Sequence, residues 1–101
     1  MTVWWNERLL FEGEVKISPF DSCLLRGESV FETILAKDGR IVSWPRHLKR
    51  LRNSADLLGV DVPEEITLVE AIRMLLNEND LAQGKARIRI TLGDNQLVTA
   101  V

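Results

Sequence analysis

From Lys85 to Leu92 the chain alternates strictly: Ala86, Ile88, Ile90 and Leu92 are apolar, and Arg87, Arg89 and Thr91 stand between them. A period of two is the signature of a strand with one buried face. Ser29 to Lys37 reads the same way, with Val30, Glu32, Ile34 and Ala36 on one face and Phe31, Thr33 and Leu35 on the other. Asp38-Gly39 reaches positive φ readily and predicts a tight hairpin onto a strand over Arg40 to Trp44. The first 12 residues predict another hairpin, in which Trp4-Trp5 and Leu9-Leu10-Phe11 flank a turn at Asn6-Glu7. Gly93-Asp94-Asn95 predicts a turn into a last strand, Gln96 to Val101.

Between the strands the period changes. Pro45 suits the first turn of a helix, where its missing N–H costs nothing. Leu48, Leu51, Ala55 and Leu58 then recur at helical spacing, and Gly59 fits the left-handed residue that ends such a helix. A second helix is expected from about Thr67, with Thr67 and Glu70 as a capping box and Leu68, Ile72, Leu75 and Leu76 as its apolar stripe. Gly13 through Pro19 and Asp21 to Gly27 reads as loop. Hairpins rather than crossovers, with helices inserted between them, predict an α+β fold: an antiparallel sheet with two helices packed on one face. No internal repeat or low-complexity segment interrupts this pattern.

Composition narrows the function classes. The 101 residues suit a single small domain, residues 1–101, with 46% hydrophobic and 28% charged residues, as in ordinary globular proteins. A formal net charge of -2 gives no basic footprint for general nucleic-acid binding. No apolar run reaches the roughly 18 residues of a membrane-spanning helix. The N-terminus lacks the charged and apolar regions of a secretory signal, and Cys23 has no cysteine partner, so a cytoplasmic location is the expectation. One histidine, His47, and one cysteine match no metal-ligand spacing, and no metal site is expected. No glycine pattern for a nucleotide phosphate occurs.

Three placements of charge stand out. Glu32 falls on an apolar strand face, where an unpaired carboxylate is costly, so it should meet a cation or several donors. Arg87 and Arg89 project together from one strand face beside Thr91. His47-Leu48-Lys49-Arg50-Leu51-Arg52 loads the start of a helix with cations, which the macrodipole disfavours unless an anion lies nearby. Solvated faces and a surface ion pair are the plain alternative for all three.

Ser18-Pro19-Phe20-Asp21, Gly27-Glu28-Ser29-Val30-Phe31-Glu32-Thr33-Ile34, Asp38-Gly39-Arg40 and His47-Leu48-Lys49-Arg50-Leu51-Arg52-Asn53-Ser54-Ala55 follow one another in that order. Together they resemble the N-terminal domain of the class IV aminotransferases. These fold-type IV pyridoxal-phosphate enzymes include branched-chain and D-amino-acid aminotransferases and aminodeoxychorismate lyases. The resemblance runs from Val3 to about Val101 and implies the cofactor pyridoxal 5'-phosphate in the complete enzyme. It implies that Arg50 binds the cofactor phosphate, for which a planar guanidinium with paired donors is suited. It places Phe31 on the substrate side of the pocket and gives Arg87 the substrate carboxylate, with Arg89 as a competing candidate. Arg26 stands where relatives often carry an aromatic residue facing the partner subunit's pocket, which implies an altered substrate or a lost one. Glu32 and His47 are implied to hold local structure.

The departures from the family pattern matter as much. Glu28-Ser29 replaces a smaller pair, and the turn after Leu92 is shorter than usual. The C-terminal domain that carries the Schiff-base lysine in relatives is expected to lie outside these 101 residues, and none of Lys16, Lys37, Lys49 and Lys85 matches that lysine. No catalytic residue is therefore assigned. The resemblance implies a domain that supplies part of the cofactor and substrate pocket, with no activity alone. Its complete enzyme would move an amino group between an amino acid and a 2-oxo acid, or act as a lyase. A second copy, or a C-terminal domain or chain, is the expected partner. A stand-alone interaction or self-association module is the alternative.

Overall fold

The computed structural model describes residues 1–101. Strand β1 (Thr2–Trp5) and strand β2 (Arg8–Phe11) form the first hairpin. Its turn contains no glycine. Asn6 and Glu7 both take positive φ, 47° and 70°, and the Asn6 side chain fastens the turn by accepting from the Gln96 N–H at 2.8 Å and donating to Asn95 Oδ1 at 3.0 Å. Strands β3 (Val30–Lys37), β4 (Arg40–Ile41), β5 (Lys85–Leu92) and β6 (Gln96–Ala100) complete one six-stranded sheet in the order β2-β1-β6-β5-β3-β4, antiparallel throughout.

Helices α2 (Trp44–Leu58) and α3 (Glu65–Glu78) connect β4 to β5 and cover one face of this sheet. The core lies in between. Leu48, Leu51 and Ala55 of α2 and Leu68, Ala71, Ile72, Leu75 and Leu76 of α3 meet Ile34, Ile88, Ile90, Leu92 and Val98 of the strands. Burying each of the leucine, isoleucine and valine side chains among these contributes about 1.5–3 kcal/mol relative to leaving it exposed. Asn79, just past α3, hydrogen-bonds the backbone of Thr2 and Ala100 and so ties the helix layer to the β1 and β6 strands.

Four expectations need correction. The segment read as loop contains a 3-10 turn at Glu12–Glu14 and a short helix, α1 (Ser22–Arg26). Asp21 caps α1 through the N–H groups of Cys23 and Leu24, and Gly27 ends it at φ 66°. Strand β4 is only two residues long, because Trp44 already belongs to α2. Leu58 extends the apolar stripe of α2 in sequence but is 45% exposed, lying past the last turn that faces the sheet. Helix α3 starts at Glu65, directly after Pro63 and Glu64, so Thr67 sits inside its first turn and caps nothing. The acidic Glu64-Glu65 pair is well placed at a helix N-terminus, whose partial charge is positive.

The other face of the sheet is covered only at one end. Ile17, Cys23 and Ser29 share a small cavity with Trp5, Thr91 and Leu97, so the segment around α1 lies over β1, β6 and the start of the β5–β6 turn. Asp94 accepts from the Ser22 N–H and Asn95 donates to Asp21, each at 2.8 Å, which anchors α1 to that turn. Beyond it, Phe31, Thr33 and Leu35 of β3 and Arg87 and Arg89 of β5 face solvent. No helix is long and apolar enough to cross a membrane.

Candidate functional site

Strand alternation sends Glu32 toward the helices and Phe31 and Thr33 to the open face. On α2, Leu48, Leu51 and Ala55 bury against the sheet, so His47, Arg50 and Ser54, at offsets of three and four residues, line the flank beside that stripe. The two elements meet along the outer edge of β3. Because β4 pairs only with Ala36 and Lys37, the edge from Val30 to Thr33 has no strand partner. The Leu35 carbonyl points to this side and accepts from Val42. By alternation the N–H and C=O groups of Phe31 and Thr33 face the same open edge. Phe31, Glu32, Thr33, Arg50 and Ser54 line a groove of about 330 Å³ there.

Glu32 is the electrostatic centre of the groove. Its side chain is 4% exposed and carries three contacts. Arg50 Nε donates to Oε1, Arg50 Nη2 donates to Oε2 at 2.8 Å, and His47 Nδ1 lies 3.1 Å from Oε2. The Arg50 hydrogen bonds, helped by His47 and opposed by burial, hold the Glu32 carboxyl below its ordinary value of 4.5. An ionised carboxylate only accepts, so His47 carries its proton on Nδ1 in this arrangement. The same contact pushes the Arg50 guanidinium above its already high range. The cations at the start of α2 have thus found an anion, but it is the protein's own.

Arg50 bridges inside and outside. Its side chain is 62% exposed although one edge of its guanidinium is held by a buried carboxylate. The Nη1 hydrogens and the second Nη2 hydrogen are left for a further acceptor. A dianionic phosphate fits this donor set: a fixed cationic fork at the mouth of an open groove, with the Ser54 hydroxyl beside it.

The other expected site residues fall into two places. Phe31 is exposed on the open face, and the guanidinium of Arg89 stacks on its ring at 3.9 Å from the centroid. The register pairs Arg89 with Thr33 and Arg87 with Leu35, so Arg87 is one step farther from Phe31 along β5. Arg26 lies apart, exposed at the end of α1, bound to Glu28 at 2.8 Å and to the Ser22 hydroxyl at 3.2 Å. None of the four lysines lines the Arg50 groove, and Lys37 and Lys85 stand opposite each other at the far end of the open face. Thr33 and Ser54 had not been singled out from the sequence. Ser54 carried a signal, since it follows Arg50 by one helical turn.

Comparison with known proteins supplies the family. Residues 29–100 match the family model of the amino-transferase class IV proteins. The chain belongs to the class IV aminotransferases. It is 33% identical over 92 residues to D-alanine aminotransferase of Staphylococcus epidermidis, a match that covers 90% of this chain and 33% of that protein. It is 30% identical over 93 residues to aminodeoxychorismate lyase of Bacillus subtilis, covering 89% of this chain and 31% of the lyase. Among solved structures it superposes on the T.th. branched-chain amino acid aminotransferase complexed with N-(5'-phosphopyridoxyl)-L-glutamate. That superposition has a TM-score of 0.83 at 28% identity and covers 98% of this chain and 39% of that one. The class IV fold is therefore shared along nearly the whole chain, and its homologues are pyridoxal-phosphate enzymes. This class IV chain spans about a third of the length of the curated relatives it matches.

Proposed function

We propose that this chain forms one wall of a pyridoxal-phosphate site, with Arg50 as the residue that holds the cofactor phosphate. The supporting observation is the Glu32-held guanidinium, fixed on one edge and open on the other, at the mouth of a groove. When bound, the cofactor supplies an electron sink for bonds at the substrate's α-carbon. The residues of this chain do the binding and orienting. Phe31 offers a flat apolar surface on the substrate side, and Arg89, stacked upon it, offers a cation for a substrate carboxylate. Arg87, one register step away, provides a second cation for the same purpose. Arg26 is a substrate-side residue only where a further chain or segment packs over α1, because here it is satisfied by Glu28 and Ser22.

In this reading the remaining two thirds of the relatives' length carries the reactive lysine, and the 101-residue chain is inactive alone. The complete assembly transfers an amino group between an amino acid and a 2-oxo acid, or carries out the related aminodeoxychorismate cleavage. A second reading has one observation in its favour. Phe20, Leu24 and Leu25 are 81%, 65% and 56% exposed around α1, as expected of a self-association or interaction module. The same surface would seat a second copy or the rest of a longer protein.

The test is a chimera in which this chain replaces the matched third of the S. epidermidis D-alanine aminotransferase. The chimera is expected to retain cofactor through gel filtration and to transfer the amino group of D-alanine. Arg50→Ala should lower both by at least about tenfold, the worth of a charge-assisted bidentate contact. A folded chimera that keeps cofactor equally well with Arg50→Ala would overturn the assignment. A chain that dimerises tightly by itself and forms no functional chimera would favour the interaction module.

A further inference from the structure

We propose that Glu32 is a positioning residue for Arg50: a buried internal counter-ion that takes the side edge of the guanidinium and thereby presents its end to a phosphate. The inference rests on the phosphate reading above and deepens it.

Four observations carry it. Glu32 breaks the apolar register of its strand face, between Val30 and Ile34, and is 4% exposed. A carboxylate in such a place is costly unless its charge is answered. The answer comes from a side chain that is itself mostly in solvent, so the carboxylate holds the arginine from below. The contact is two-point. Nε and Nη2 meet the two different oxygens, which fixes both the position and the plane of the guanidinium. His47 fixes the carboxylate in turn, since its Nδ1 reaches Oε2 from one helical turn earlier on α2. Neither oxygen can swing away without losing a partner.

A guanidinium bound along its Nε–Nη2 edge keeps its Nη1–Nη2 end for a second oxyanion. The rotamer freedom that a loose surface arginine loses on binding has then been lost already on folding. This preorganisation opposes a second effect. The Glu32 charge partly cancels that of Arg50 and weakens its attraction for a dianion. The two effects predict opposite signs for removal of the charge at position 32, and that difference makes the idea testable.

The probe is pyridoxine 5'-phosphate, which has the cofactor's phosphate and ring but no aldehyde to react with lysines. It is titrated into the 15N-labelled 101-residue chain and followed at the Arg50 Nε–H cross-peak. In the wild type that resonance should exchange slowly with water and shift saturably with the probe. In Glu32→Gln it should exchange as fast as the exposed arginines. The apparent affinity should fall by at least about tenfold although a negative charge has been removed from the site. Unchanged or tighter binding by folded Glu32→Gln overturns the positioning role and leaves the phosphate role of Arg50 standing. Arg50→Ala sets the reference: if it binds the probe as well as the wild type, both readings fail together. Arg50→Lys covers the case in which Glu32→Gln does not fold. It keeps the charge and cannot make the two-point contact, so it should bind nearly as weakly as Arg50→Ala. Wild-type affinity in Arg50→Lys would overturn the proposal.

Discussion

The same strands present two different chemistries on the two faces of the sheet. Toward the helices, Ile34, Ile88, Ile90, Leu92 and Val98 are fully buried and packed against α2 and α3. Toward the open side, at intervening positions of β3 and β5, stand Phe31, Thr33, Leu35, Arg87 and Arg89, all exposed. One face was shaped by exclusion of water and tolerates little change. The other was left apolar and cationic without a layer above it, which stability alone does not require. Glu32 belongs by position to the first face and by chemistry to the second. Its place at the strand edge lets a core position serve the groove.

Truncating one side chain on each face should separate the two most clearly. Ile88→Ala should cost about 2–5 kcal/mol through lost burial and the cavity it leaves. Leu35→Ala should cost less than about 1 kcal/mol, since much of that side chain is already in water. Urea midpoints of the two variants against the wild type decide it. Equal costs would mean that the open face is packed in solution.

Glu32→Gln tests the residue between the two faces. The Arg50 hydrogen bonds lower the folded carboxyl from its ordinary 4.5, so ionised Glu32 stabilises the fold above that value. The contribution is lost as the pH falls through the lowered folded value. With Arg50 largely in solvent, the gap between wild type and Glu32→Gln should be about 1 kcal/mol at neutral pH. It should close as the pH falls below the ordinary carboxylate range. Urea melts at a series of pH values read this directly, and a gap that widens in acid would contradict the assignment.

The smallest effect separates two neighbouring arginines. Arg89→Ala should lower stability by about 0.5 kcal/mol through the lost stacking on Phe31. Arg87→Ala, with no aromatic partner, should leave the denaturation midpoint unchanged. Equal effects would remove the distinction that the register draws between them.

Much of this was legible in the residues because burial writes itself as period. The alternation of β5 and the stripe Leu48-Leu51-Ala55 located the sheet and its first helix cover. Glu32 was legible as an anomaly, a charge inside an alternation that should have been apolar. Its partners, two of the cations crowding the start of α2, were legible as the complementary anomaly. Helix α1 was missed because it buries no residue and so has no apolar period. Only its ends, Asp21 and Gly27, marked it. The position of Arg89 over Phe31 depends on the register of β3 against β5, set by a pairing across the two intervening helices. No local pattern contains it.

The two-residue length of β4 has a consequence for how the molecule lives among copies of itself. An unpaired strand edge is a template on which another chain's strand can grow, and exposed edges are a common starting point for aggregation. Between Val30 and Thr33 that template is open, and it lies beside the apolar ring of Phe31. Arg50, tethered to Glu32, lines the groove along this edge, and an incoming strand would have to desolvate or displace a fixed charge. Any such pairing would carry the desolvation cost of that ion pair.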